Sequence, residues 1–209
     1  MRSVRRALVT FVAAVAGLGL VMPSAAAAGG EGSALPGAAG SEKFAAGLAT
    51  AQAGNQVSPY VQASSPAQAM QILDALRSPE TANPSDQALA ANARYGPCTL
   101  NPSVIHLRTS GGKKTLGAKP VTECSVPVAS IRHDTDLRYK WWLWWSLADS
   151  YPGPGNQGQK RYEQKNVAWR CDGTDSTTWA GTTVGTIVFG GETFYARVYQ
   201  EPVDKDCGA

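Results

Sequence analysis

His133 stands in R-H-D-T-D, directly beside Asp134 and two residues from Asp136. An imidazole oriented by a carboxylate is the arrangement of a general base, so a hydrolase using His133 with Asp134 or Asp136 is one chemistry the chain could carry. The same residues also make an ordinary polar turn ahead of a strand, and that is the plainer expectation. His106, in V-I-H-L-R, reads as a rim or surface histidine. No G-x-S-x-G, H-E-x-x-H or P-loop sequence occurs. Asp134 with Asp136, and Asp172 with Asp175 in D-G-T-D-S, offer oxygen ligands but complete no EF-type loop, so solvated turns are expected there. No catalytic residue, metal or cofactor is assigned.

Cys98, Cys124, Cys171 and Cys207 are the four cysteines. No two lie within four residues of each other and neither histidine adjoins one, which disfavours zinc. In an exported chain they read as disulfides. Three pairings are possible. The local one, Cys98 with Cys124 and Cys171 with Cys207, is the expectation, and it leaves no thiol nucleophile.

The remaining chemistry lies in L-R-Y-K-W-W-L-W-W-S-L at residues 137–147. Read as one strand with a period of two, it puts Leu137, Tyr139, Trp141, Leu143, Trp145 and Leu147 on a core face. The opposite face then carries Arg138, Lys140, Trp142, Trp144 and Ser146. Two indoles beside two cations suit neither a dry core nor plain solvent. A planar pair of this kind can stack on sugar, peptide or a partner's apolar residues, so Trp142, Trp144, Arg138 and Lys140 are the binding candidates. The plainer alternative covers the indoles with the helices or the opposite sheet, with the cations snorkelling at the edge.

The elements that position these residues follow from local signals. Residues 1–28 have a charged start, an apolar run from 7 to 22 and a small-residue cluster, the pattern of a secretory signal that is removed. Residues 29–64 are rich in Ala, Gly and Ser and read as a flexible arm with one weak helix near 42–53. Residues 65–96 hold two short helices. Ser65 before Pro66 and Asn83 before Pro84 supply caps, Met70, Leu73 and Leu76 or Arg77 form one stripe, and Leu89 anchors the second helix. Residues 97–209 form a disulfide-stapled β domain.

Within that domain, extended segments are expected at 103–108, 121–131, 137–147 and 161–171, with turns at 111–114 and 151–158. Residues 182–189 and 192–200 flank Gly190-Gly191, a two-residue hairpin turn. Its register sets Ile187, Phe189, Phe194, Ala196 and Val198 on a core face, against Val184, Thr186, Val188, Tyr195, Arg197 and Tyr199. About six strands without parallel crossovers give a mainly β fold, an antiparallel sandwich or small barrel.

Charge narrows the partners. Without Arg2, Arg5 and Arg6, the nineteen Lys and Arg residues fall to sixteen, equal to the sixteen acids. A neutral chain does not suit nucleic acid, and no membrane span is expected once the signal is gone. Residues 98–171 hold eleven Lys or Arg against five acids, and 172–209 hold two against six. The two halves are expected to neutralise each other within the fold.

Y-G-P-C at Tyr95 to Cys98, G-A-K-P at Gly117 to Pro120, G-T-T-V-G-T-I-V at Gly181 to Val188, Y-A-R-V-Y at Tyr195 to Tyr199 and the closing C-G at Cys207 resemble small secreted four-cysteine proteins of actinobacteria. The resemblance covers about the last 115 residues. It implies no chemistry, and no site residue transfers. The chain is also similar to the small adaptor subunits of secreted umbrella toxin particles from the same bacteria. That resemblance implies a β domain with an N-terminal extension joining a lectin-like subunit to a toxin stalk. The expected function is a secreted, non-catalytic interaction protein bound to another secreted protein. A carbohydrate or cell-wall binding module that engages a cell-surface glycan is the alternative.

Overall fold

A computed structural model describes residues 44–49, 56–108 and 114–209. The expected signal, most of the arm and the turn at Gly111, Gly112 and Lys113 lie outside the described residues. In chain order the strands are β1 (Ser58–Gln62), β2 (Tyr95–Asn101), β3 (His106–Arg108), β4 (Thr115–Gly117) and β5 (Val121–Trp141). They continue as β6 (Trp144–Pro152), β7 (Asn156–Glu163), β8 (Trp169–Arg170), β9 (Ser176–Phe189) and β10 (Glu192–Asp206). The helices are α1 at residues 44–49, α2 (Pro66–Arg77) and α3 (Pro84–Ala91).

The hairpin of β9 and β10 turns at Gly190 and Gly191, whose φ angles of 61° and 80° lie where side chains are disfavoured. Its register pairs Phe189 with Glu192, Ile187 with Phe194 and Gly185 with Ala196, as the sequence predicts. Ile187, Phe194, Ala196 and Val198 enter one core with Tyr60, Leu100 and Ile131. Phe189 does not. It flanks the turn, beyond the packed part of the ladder, and is 38% exposed.

β5 is the strand on which the others assemble. It pairs with β2 near its start and with β9 along its second half, while β1 and β10 run between those two partners. Five strands therefore close a barrel, which leaves the ring without a free edge. β6 and β7 pair with β5 outside that ring. Pro127, whose missing N–H calls for an edge or a bulge, falls in the irregular register between Glu123 and Val128.

Other boundaries also differ from the sequence reading. The arm contains a barrel strand, β1, because Tyr60 and Val61 are fully buried while their neighbours dilute the composition. The segment 161–171 is two pieces, β7 and β8, and β7 starts inside the expected loop at Asn156. β8 joins β3 and β4 in a separate three-stranded sheet. That sheet packs Leu116 and Trp169 around Trp179 and Leu137 in a second core. Among the described residues there are ten strands, one of them in the arm, where about six were expected in the β domain.

α2 is capped as predicted, with Gln68 N–H donating to Ser65 Oγ at 3.2 Å and Pro66 at the first turn. It docks through Ile72 and Leu73 against Val61 of β1. The buried stripe is thus Ala69, Ile72, Leu73 and Ala75, with Leu76 left exposed. α3 is capped by Asn83 Oδ1, which accepts from Asp86 N–H at 2.9 Å. Its Leu89 is partly buried against the same cluster.

Both disulfides are local: Cys98–Cys124 ties β2 to β5, and Cys171–Cys207 ties the chain after β8 to the end of β10. Two bridges suit an oxidising, extracellular setting. No helix among the described residues is long and apolar enough to cross a membrane.

Candidate functional site

The sequence 137–147 is not one strand. β5 ends at Trp141, the chain reverses through Trp142 and Leu143, and β6 begins at Trp144, which pairs with Trp141. Gly, Asn, Asp and Pro, the usual turn residues, are all absent here, so a period of two runs through the sequence without a signal to stop it. Trp142 has a φ of +55°, the left-handed region in which a bulky side chain is strained. The antiparallel ladder on either side holds it there.

Reversal changes the faces. Because Trp141 pairs with Trp144, Tyr139 pairs with Ser146 and Lys140 with Trp145, odd positions on β5 share a face with even positions on β6. Trp144 therefore sits with Trp141 and Tyr139, while Trp145 and Leu147 sit with Arg138 and Lys140. The four binding candidates do not share one face. Trp142 is in the turn, Trp144 is on one side, and Arg138 and Lys140 are on the other.

The hairpin is anchored at its root on both sides. On one, Tyr139 packs on Trp179 with ring centroids 5.9 Å apart. On the other, Trp145 meets the edge of Phe44 from α1 at 5.4 Å, and the Arg138 guanidinium lies 4.9 Å over the same ring. Arg138 also reaches Asp136 at 3.7 Å. It is thus occupied within the fold, whereas Lys140 is exposed and makes no hydrogen bond or ion pair among the described residues.

Beyond the root, the tip is bare. Trp141 is 62% exposed, Trp142 83%, Leu143 81% and Trp144 54%. Trp141 and Leu143, assigned to the core by the strand reading, belong to this tip instead. The signal that marks them is an apolar run occupying both parities of a strand, which no single buried face can absorb.

A cleft of about 580 Å³ opens beside Trp141 and Trp142, with Lys140, Asp172, Asp175 and Ser176 among its walls. The carboxylates of Asp172 and Asp175 have no hydrogen bond or ion pair among the described residues. A larger cleft of about 870 Å³ lies between α1, α2 and the outer face of β9 and β10. Its cations are already engaged. Arg197 pairs with Asp74, and Arg77 Nη2 donates to the Arg197 carbonyl at 3.2 Å with its guanidinium 4.9 Å over Tyr199. Burial lowers the Arg77 pKa.

Strand alternation also places the histidine. His133 points into the barrel and is fully buried, while Asp134 and Asp136 point outward, so the base-with-carboxylate pairing is not formed. His133 Nε2 lies 2.6 Å from Thr122 Oγ1, which in turn lies 2.6 Å from Tyr60 Oη. Loss of hydration on burial pushes the imidazole pKa down to about 3. His106 Nδ1 lies 3.0 Å from the Val104 carbonyl. Among the described residues no three His, Cys, Asp or Glu side chains cluster as a metal ion needs.

The fold and site thus define a disulfide-linked β-barrel presenting an aromatic hairpin. Set against protein families, curated proteins and solved structures, the chain matches none of them.

Proposed function

We propose that the chain is a secreted, non-catalytic interaction protein that binds a partner protein by inserting the hairpin tip into an apolar pocket. One observation carries this reading: Trp142 is held at a strained φ while 83% exposed. Strain and exposure each cost free energy, and the Trp142 indole makes no hydrogen bond or ring contact among the described residues. Rigid aromatic anchors of this kind supply large contact area with little rotamer entropy to lose. Asp172 and Asp175 beside the tip disfavour an anionic bilayer as the acceptor. An adaptor within an extracellular toxin complex is one assembly such an anchor serves.

The test is reconstitution of a complex from the producing strain's culture supernatant, isolated by size exclusion. The parent chain and Glu192→Ala, altered at the distant β9–β10 turn, co-elute with a secreted protein. Trp142→Ala with Trp144→Ala does not. A parent chain that elutes alone, or one that instead floats with anionic lipid vesicles, removes the reading.

A further inference from the structure

We infer that the cleft beside Trp141 and Trp142 is a saccharide site, taking a neutral hexose unit of a glycan. The argument starts from its two unlike walls. One is aromatic, formed by Trp141 and Trp142 on the hairpin. The other is polar, formed by Asp172 and Asp175 on the segment between β8 and β9 and by Ser176 at the start of β9. A hexose is amphipathic in the same way. Its axial C–H groups are weakly positive and suit the negative face of an indole. Its rim of hydroxyl groups suits fixed acceptors and donors.

The acceptors are in place and uncommitted. Neither the Asp172 nor the Asp175 carboxylate is engaged among the described residues, and a carboxylate takes two neighbouring hydroxyls in charge-assisted hydrogen bonds. Lys140 borders the same cleft, with its side chain on the opposite face of the hairpin from Trp141. An ammonium or guanidinium group is the other ligand that acids and indoles recognise, and lysine-rich peptides are the probe for it.

The polar wall is rigid, as a site for a weakly bound ligand requires. The Cys171–Cys207 disulfide pins its base, and Asp172 N–H donates to the Gly208 carbonyl at 3.0 Å. Trp179 Nε1 donates to the Cys207 carbonyl at 3.1 Å, and Thr178 Oγ1 donates to Asp204 Oδ1 at 2.6 Å. The opposite wall is fixed by the Tyr139–Trp179 contact at the hairpin root.

This site goes beyond protein docking: it shares Trp142 with the docking tip but adds Asp172 and Asp175, and those two carboxylates separate the readings experimentally. The probe is a printed array of neutral oligosaccharides, followed by titration of the best binder against indole fluorescence. Parent chain and Trp144→Ala bind a neutral glycan within about twofold of each other. Asp172→Asn with Asp175→Asn weakens that binding by roughly tenfold or more, equivalent to about 1.4 kcal/mol, with an unchanged circular dichroism spectrum. The same double variant still co-elutes with the secreted partner. Absence of binding to every neutral glycan overturns the assignment, as does binding indifferent to both aspartates or a preference for lysine-rich peptides. Trp142→Ala moves both readouts, because the indole serves the tip and the aromatic wall; the aspartate pair moves only the glycan result and Trp144→Ala only partner capture, so either proposal fails without the other.

Discussion

Thr122 holds its hydroxyl 2.6 Å from His133 Nε2 inside a closed barrel, with Tyr60 Oη 2.6 Å away on its other side. The three side chains bring three protons to two contacts, and His133 Nδ1 has no partner among the described residues. A charged imidazole has no counter-ion here, which is why burial alone lowers its pKa to about 3. The sign for stability follows. The unfolded chain takes up a proton near pH 6.5 and the folded chain does not, so the contribution is complete above pH 6.5. It drains as pH falls towards 3, by at most about 1.4 kcal/mol per pH unit. Urea midpoints measured across that window fall for the parent chain. For His133→Gln the decline is shallower, since the buried imidazole no longer contributes to it. Parallel curves would remove the neutral imidazole from the account.

Trp142→Gly separates stability from binding. Glycine occupies a φ of +55° without penalty, so the variant gains about 1–2 kcal/mol of fold stability. Capture of the secreted partner falls at the same time, because the anchor is gone. A variant that is less stable than the parent would show that the indole makes contacts offsetting its strain.

Gly185 faces the Tyr60 hydroxyl so closely that an added Cβ would coincide with it. Gly185→Ala therefore displaces Tyr60 and breaks its bond to Thr122, a loss of about 1–3 kcal/mol. Tyr60→Phe removes the clashing oxygen and costs about 1 kcal/mol alone. In the double variant the two losses sum to less than their separate values, because the clash and the bond involve the same oxygen. Additive losses in urea titrations would place the Gly185 constraint elsewhere.

Some of this was legible in the sequence and some was not. Gly190-Gly191 declared its turn through residues that need positive φ, and the whole β9–β10 register followed from it. The local bridges were the expected one of three pairings, and the β2–β5 register that sets Cys98 opposite Cys124 decides the first of them. The Trp142–Leu143 turn was illegible because no local chemistry calls for it. It exists because Trp141 and Trp144 are held by ladders that extend to Asp134 and Pro152, and that cooperation is non-local. One missed turn inverted the faces of every residue after it, moving Trp145 from the expected core to the Phe44 contact. The cleft was invisible for a related reason: Trp141 and Asp175 come to line one cleft only through tertiary packing. Tyr60 and Val61 were lost differently, since two buried residues among polar neighbours do not shift an average.

Phe44 is the plug that fastens α1 to the barrel. It is buried against the edge of Trp145 at 5.4 Å, against Tyr199 at 5.9 Å and beneath Arg138 at 4.9 Å. Phe44→Ala removes all three contacts while leaving the closed ring of β5, β2, β1, β10 and β9 intact. Amide exchange of residues 44–49 accelerates, and the urea midpoint of the barrel hardly moves, because the segment opens as a local unit. Gly47→Ala is the sharper experiment. Intrinsic propensity favours it by about 1 kcal/mol, since alanine is the better helix former. Packing opposes it, because the new Cβ would fall on the Tyr199 hydroxyl. Overlap with a packed ring outweighs a propensity gain of that size, so the packing effect wins and exchange at residues 44–49 again accelerates. Slower exchange in Gly47→Ala would mean that α1 is held by its own backbone and not by Tyr199.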